Sequence, residues 1–270
     1  MRIDGKALAE AILSGLTKQV VLLKQQNITP TLAVILVGDN PESLSYIRQK
    51  QKATEKIGGR FIFEKLPKTA LPKELAARVA MYNRDTSVHG LIVQRPLPAG
   101  LSAAVHPKKD IDGFMPNSPF DVPVAMAVFT ILNNIGITLN NKKIVIVGRG
   151  ETAGKPIAAA LAKRQCATSI ITSKTSYPIE IMKGADIIIS CVGKRGIVTG
   201  DALKSGVILI SVGIWRESDG KLHGDYEEDD IKDIASFFTP TPGGVGPLNI
   251  ASLMQNLVKA ADLASNNQPK

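Results

Sequence analysis

The 270 residues suffice for one large domain or two modest ones, and 44% apolar with 21% charged residues is the balance of a folded globular chain, not a disordered one. The net charge of +9 is spread over scattered lysines and arginines, with only short pairs such as Lys108-Lys109 and Lys142-Lys143, and aromatic residues make up 4%. That argues against a nucleic-acid partner, whose binders concentrate charge on one face and often interleave aromatics; a polyanionic small substrate, a phosphorylated cofactor and a solvated basic surface account for the excess.

The N-terminus, MRIDGKALAEAILSGL, carries an acid early and has amphipathic spacing, so it predicts a helix and not a secretion signal. Residues 31–37 form a β-branched apolar run ending in Gly38-Asp39-Asn40, with a helix expected over 41–56. Alternation at 60–65 predicts a strand, 72–82 a helix and 90–93 a short buried strand. The stretch 96–123 is rich in proline and aspartate with little periodicity, and a domain boundary is expected there. Residues 122–141 are a long uncharged stretch, but Asn133-Asn134 and Gly136 break it. A membrane span needs roughly 18 or more apolar residues, so none is expected.

The second half reads as a helix over 124–133, a strand over 143–147, a glycine turn, an alanine-rich helix over 157–163, and strands at 167–172, 185–191 and 207–212. An acidic segment follows, then Phe237-Phe238, the turn-rich run Thr239-Pro240-Thr241-Pro242-Gly243-Gly244-Val245-Gly246-Pro247, and a final helix over 248–264. Alternating strands and helices imply an α/β architecture with mostly parallel sheets. Cys166 and Cys191 lie in or beside apolar strand-like segments and read as reduced core residues, not as a disulfide or metal pair; that suits the cytoplasm.

The densest signal is Val145-Ile146-Val147 running into Gly148-Arg149-Gly150-Glu151-Thr152-Ala153, in which Gly148, Gly150 and Ala153 fill the G-x-G-x-x-G/A template. The first glycine permits a tight turn, the second lets a pyrophosphate approach bare backbone, and a small third residue lets the helix pack close to the strand. Short glycine patterns also punctuate ordinary loops; the strand before and the helix after favour a dinucleotide site. The next strand ends Ile170-Ile171-Thr172-Ser173-Lys174-Thr175 with no acid, which favours NADP over NAD, because a carboxylate there would repel a 2′-phosphate. Ser173 and Thr175 are equally suited to capping the following helix.

Tyr46 and Lys50 are four apart on the helix after Gly38-Asp39-Asn40, hence on one face and leaning toward the carboxyl end of the preceding strand, where open α/β sheets bind ligands. A lysine in a partly apolar site can exchange protons near neutrality; the plainer reading is a packed ring beside a surface amine. Gly90-Leu91-Ile92-Val93 delivers Gln94 into the proline-rich Arg95-Pro96-Leu97-Pro98, where its amide either hydrogen-bonds a catalytic group or ties down its own loop. In Lys109-Asp110-Ile111-Asp112-Gly113-Phe114 the two acids either shape a tight turn, or Asp112 takes paired hydrogen bonds from an amino-pyrimidine edge.

Together these motifs resemble the methylenetetrahydrofolate dehydrogenase/cyclohydrolase family, the FolD-type enzymes of one-carbon metabolism, over nearly the whole chain. The resemblance rests on Tyr46 and Lys50, Val93 to Pro98, Lys109 to Phe114, Gly148-Arg149, Ser173-Lys174-Thr175 and, most specifically, Pro242-Gly243-Gly244-Val245-Gly246-Pro247. It implies an N-terminal α/β catalytic domain over 1–121 and a Rossmann-type NADP-binding domain over 122–247, with the C-terminal helix 248–270 packing back on the first. It further implies oxidation of methylenetetrahydrofolate by NADP and hydrolysis of the methenyl product to formyltetrahydrofolate. Tyr46 would stack on the aminobenzoyl ring, Lys50 would manage protons, Gln94 would tune Lys50, and Asp112 would hold the pterin. Gly148, Arg149, Gly150, Ser173 and Ile214 would bind the cofactor, and Gly243, Gly244 and Pro247 would border the folate. No metal is implied. A cytoplasmic homodimer formed through the nucleotide domains is, and the apolar strands 185–191 and 207–212 are compatible with that.

The chain departs from the family's usual pattern mainly on the cofactor side. Gly150 stands for a serine, Thr172 for a histidine, Val124-Ala125-Met126 for Cys-Thr-Pro, Ser211 for an aspartate, and Leu248-Asn249 for Met-Thr. Lost hydrogen bonds of roughly 0.5–1.5 kcal/mol each weaken cofactor affinity several-fold without abolishing it. The alternatives are another NADP-dependent dehydrogenase of related layout, and a folate- or nucleotide-binding homologue with impaired dehydrogenase activity.

Overall fold

The computed structural model describes residues 1–218 and 220–265, which divide into two compact units. The first comprises Glu10–Pro123 and the chain from Ile250 onward. It holds most of α1 (Gly5–Gln25), then β1 (Thr31–Val37), α2 (Pro41–Lys56), β2 (Arg60–Leu66), α3 (Pro72–Arg84) and β3 (Gly90–Val93). The strands make a parallel sheet in the order β2-β1-β3, with Ile35 opposite Val93 and Val37 opposite Leu66. All seven residues of β1 are buried, as a central parallel strand covered on both faces requires, and this is why Leu32 to Val37 read as an unbroken apolar run. On one face Ala33, Ile35, Leu91 and Val93 pack with Leu75 and Val79 of α3 and with Val105 of the long loop after β3; Leu97, Leu101 and Met115 close over the edge. Helix α2 starts where the sequence dictates, because Asn40 Oδ1 accepts the Ser43 N–H at 2.9 Å and Pro41 occupies the first turn.

The second unit comprises Met1–Ala9 and Val124–Asn249. Its elements are α4 (Pro123–Asn134), β4 (Ile144–Val147), α5 (Gly154–Lys163), β5 (Thr168–Ile171), α6 (Pro178–Lys183), β6 (Ile187–Ser190), β7 (Ile208–Ser211), β8 (Trp215–Arg216), β9 (Leu222–His223), α7 (Glu228–Ile231) and β10 (Phe237–Phe238). The last helix, α8 (Val245–Ser265), begins here and from Ile250 belongs to the first unit. The main sheet is parallel in the order β10-β7-β6-β4-β5, so the chain lays β5 on one side of β4 and then crosses to place β6 on the other. Ligands of open α/β sheets bind at the carboxyl ends of strands flanking such a reversal. The strands at 185–191 and 207–212, compatible from sequence with a dimer interface, are β6 and β7, buried in the middle of the sheet; its open edge is β5.

Two features differ from expectation. The first nine residues cluster with the second unit, whereas the sequence placed them in the first domain. Their backbone pairs there: Ile3 N–H donates to Phe238 O at 2.9 Å, Phe238 N–H to Met1 O at 3.0 Å, and a Cβ on Gly5 would lie 2.0 Å from Gly244 O. Backbone pairing of this kind leaves no hydrophobic period to read. The acidic segment contains a short antiparallel hairpin, β8–β9, in which the Trp215 ring stacks on His223 at 4.7 Å and Trp215 Nε1 donates to Gly224 O at 2.8 Å. Residues 266–270 of the expected final helix lie outside the described residues. Among the described residues no helix is long and apolar enough to cross a membrane.

Candidate active site

In the first unit the carboxyl ends of β1 and β3 lie side by side, and α2 returns from the first of them. Lys50 is only 8% exposed, which removes the surface-amine reading, whereas Tyr46, one turn earlier, is 37% exposed. Lys50 Nζ donates to Gln94 Oε1 at 3.0 Å. Gln94 is held in turn by its N–H to Ile35 O at 2.8 Å and its Nε2 to Arg95 O at 3.0 Å. The amide therefore both ties its own loop and presents its oxygen to the lysine. The Arg95 guanidinium sits 5.0 Å from the centre of the Phe114 ring, joining the Gln94 loop to the Asp112 turn.

The two aspartates of that turn divide the work. Asp110 is buried and shapes it: Oδ2 accepts the Met115 N–H at 2.7 Å, and its carbonyl accepts the Gly113 N–H at 2.9 Å and Ser118 Oγ at 3.1 Å. Burial pushes the Asp110 carboxyl up, opposed by the hydrogen bonds from Met115 and Ser118 and reinforced by the charge of Asp112. Asp112 is half-buried, and no described residue donates a hydrogen bond to its carboxylate. Contacts with two remote segments brace the turn. Lys109 Nζ donates to Tyr82 O at 2.8 Å and Asp85 O at 2.5 Å, carbonyls at the end of α3. Asn256 on α8, 3% exposed, donates through Nδ2 to Ile111 O at 2.8 Å and Asp121 O at 2.9 Å. Sequence reasoning missed Asn256, whose partners lie 145 and 135 residues away.

In the second unit Gly148 adopts φ +93°, and a Cβ there would come within 3.1 Å of Cys191 O and Val192 Cγ2. Residue Gly154, where α5 begins, is the tight one: a Cβ would lie 2.1 Å from Gly148 O. The template assigned close helix packing to Ala153; the structure moves that role one residue on. Gly150, by contrast, has open space around it, as an approach point for phosphate requires. Arg149 and Ser173 are exposed. Thr172 and Thr175 stitch the turn after β5, with Thr172 N–H donating to Thr175 Oγ1 at 2.9 Å. Neither Ser173 nor Thr175 caps the next helix, which starts at Pro178 after Tyr177 with no side-chain cap. Ile214 follows β7 and is 39% exposed. Gly243 has φ +107°, Gly244 fits against Pro240 O, and Val245-Gly246-Pro247, expected as loop, is the first turn of α8.

The tetrahydrofolate dehydrogenase/cyclohydrolase catalytic-domain model matches residues 3–112, and the NAD(P)-binding-domain model of the same family matches 123–265. The chain belongs to the tetrahydrofolate dehydrogenase/cyclohydrolase family. It is 39% identical over 279 residues to the bifunctional protein FolD of Lacticaseibacillus casei, covering 98% of this chain and 99% of that one. It superposes on the crystal structure of the bifunctional FolD methylenetetrahydrofolate dehydrogenase/cyclohydrolase from Campylobacter jejuni with a TM-score of 0.94 and 36% identity, covering 97% and 99% of the two chains. The Trypanosoma brucei FolD structure, complexed with NADP cofactor and inhibitor, gives a TM-score of 0.92 at 30% identity and 97% coverage of each chain.

In this member of the tetrahydrofolate dehydrogenase/cyclohydrolase family the second unit fits a phosphorylated dinucleotide on its own geometry. Gly148 and Gly154 close the turn against β4, Gly150 leaves the backbone open, and no acid stands at the end of β5.

Proposed function

We propose that the chain oxidises 5,10-methylenetetrahydrofolate to the 5,10-methenyl form with NADP and hydrolyses the methenyl form to 10-formyltetrahydrofolate. The observation that carries this reading is the buried Lys50 amine, held by the neutral Gln94 amide at the carboxyl end of a parallel sheet. NADP supplies the hydride acceptor when bound. The remaining chemistry belongs to side chains of this chain. Lys50 moves the proton at Nζ during hydrolysis. A carboxylate partner would put a second charge beside the amine; the neutral amide oxygen orients Nζ without one. Asp112 takes the paired N–H donors of the pterin edge, and the ring of Tyr46 lies against the aminobenzoyl group. Gly243, Gly244 and Pro247 border the folate.

On the nucleotide side, Gly148 and Gly150 receive the pyrophosphate on backbone, Arg149 and Ser173 take the 2′-phosphate, and Ile214 contributes apolar contact. Residues 1–121 with the C-terminal helix are the folate-binding domain and 122–247 the NADP domain in this reading, apart from the N-terminal segment noted above. The working form is a cytoplasmic homodimer joined through the nucleotide domains; the open edge at β5, with Ile170 42% exposed and Tyr177 75% exposed nearby, supports that assembly.

The test is a comparison of NADP, NAD and no cofactor on methylenetetrahydrofolate, followed by absorbance. Turnover is expected with NADP and to a lesser degree with NAD, and methenyl hydrolysis is expected to require neither nucleotide. No absorbance change with either nucleotide removes the dehydrogenase reading.

A further inference from the structure

We propose that Asp225 is a positioning residue that builds the nicotinamide half of the NADP site, an inference that rests on the function proposed above. Asp225 follows β9, is wholly buried, and collects four neutral donors on one carboxylate. Oδ2 accepts Ser190 Oγ at 2.6 Å and the Val192 N–H at 3.0 Å; Oδ1 accepts the Gly193 N–H at 2.7 Å and the Lys194 N–H at 2.9 Å. Three consecutive amides after β6 are thus fixed by a single group that lies 31–33 residues further along the chain.

The end of β7 is drawn into the same node. A Cβ on Gly213 would lie 2.3 Å from Asp225 Oδ2 and 2.4 Å from Gly193 N, and one on Gly193 would lie 2.7 Å from Ile214 O. Ser211, where the family usually has aspartate, works within it: its Oγ accepts the Asp225 N–H at 3.1 Å and donates to Gly213 O at 3.2 Å. The segment that Asp225 holds is also the one that abuts the phosphate turn, through Cys191 O and Val192 against Gly148.

Sheet order gives the node its function. With β4 carrying the glycine turn, Ser173 stands on the β5 side, whereas β6 and β7 lie on the other. A dinucleotide that crosses the reversal with its adenosine ribose at Ser173 puts its nicotinamide half over the ends of β6 and β7. Asp225 reaches no ligand there; it sets the backbone that does.

Asp225→Asn keeps the size but turns an amide NH2 toward backbone N–H donors, and Ser190→Ala removes one donor only. Four readouts are taken on each: NADP binding, binding of adenosine 2′,5′-bisphosphate as the adenine half, hydrogen exchange at residues 192–194 without nucleotide, and methenyl hydrolysis without nucleotide. In Asp225→Asn, NADP affinity is expected to fall by at least about tenfold, the value of a charge-assisted hydrogen bond. Adenosine 2′,5′-bisphosphate affinity and methenyl hydrolysis should hold, and exchange at 192–194 should accelerate. Ser190→Ala should move the same readouts less, and it decides the matter if Asp225→Asn does not fold. Equal losses of NADP and bisphosphate, or unchanged NADP affinity, overturn the inference. A wild-type protein that neither binds NADP nor hydrolyses the methenyl substrate overturns the proposed function instead.

Discussion

The two units assemble their halves of the chemistry from different materials. In the first, the atoms of the proposed chemistry are side-chain atoms: the Lys50 amine, the Gln94 amide and the Asp112 carboxylate, each on a sheet end or a braced turn. In the second, the proposed contacts are largely backbone, at Gly148, Gly150 and the segment after β6, with side chains such as Asp225 behind them. A site of the first kind is disabled by changing the residue that touches substrate. A site of the second kind is disabled by residues that touch nothing but the fold.

The largest effect is expected where the contrast is sharpest. Lys50→Met fills the volume of a buried aliphatic stem while deleting the amine, so methenyl hydrolysis should drop by roughly 10²–10⁴ with the thermal midpoint nearly unchanged. Hydrolysis at the wild-type rate would show that Lys50 is not the proton carrier.

The backbone half is tested by a pair of glycines. A Cβ at Gly154 meets Gly148 O at 2.1 Å, and one at Gly150 meets nothing within 4 Å. Gly154→Ala should therefore cost about 1–3 kcal/mol by denaturant unfolding, and Gly150→Ala about 0.5 kcal/mol or less. Comparable costs at the two positions would erase the distinction between them.

The smallest effect is invisible near neutral pH. Burial, followed by the charge of Asp225, pushes the Cys191 thiol up to about 12. The native thiol then stays protonated where the unfolded one ionises, from its ordinary value of about 8.5 upward. A raised native pKa contributes stability below the unfolded value and loses it as pH rises toward the native one. Unfolding free energy should fall between about pH 9 and 12. The buried Tyr82 and Tyr226 hydroxyls act in the same sense, so the Cys191→Ala difference curve isolates the thiol. Parallel curves for wild type and variant would place Cys191 in a more open setting than the structure gives it.

The contrast also explains what the sequence could disclose. Strands β1 and β4 announce themselves because both faces are covered and every residue after Thr31 is apolar, and α2 because Asn40 and Pro41 mark its start. Tyr46, Lys50, Gln94 and Asp112 were legible as candidates because side-chain chemistry is written in residue types. Only coordinates could show that Asp110 shapes the turn while Asp112 does not. Gly154 was misjudged by one position because a glycine template counts residues, whereas the helix starts where Gly148 O leaves room. Asp225 and Asn256 had no local signal at all: each spends its hydrogen-bonding capacity on loop backbone more than thirty residues away, and such bonds impose no pattern on neighbouring side chains.

The β8–β9 hairpin carries the chain's one tryptophan, stacked on His223 beside Ile214, with its indole N–H bound to Gly224, the residue before Asp225. Emission excited at the indole is consequently a gauge of this corner and is silent about the α2 region. Loosening of the hairpin would register as a red shift while circular dichroism still showed every helix in place, so the molecule contains its own label for watching one half without the other.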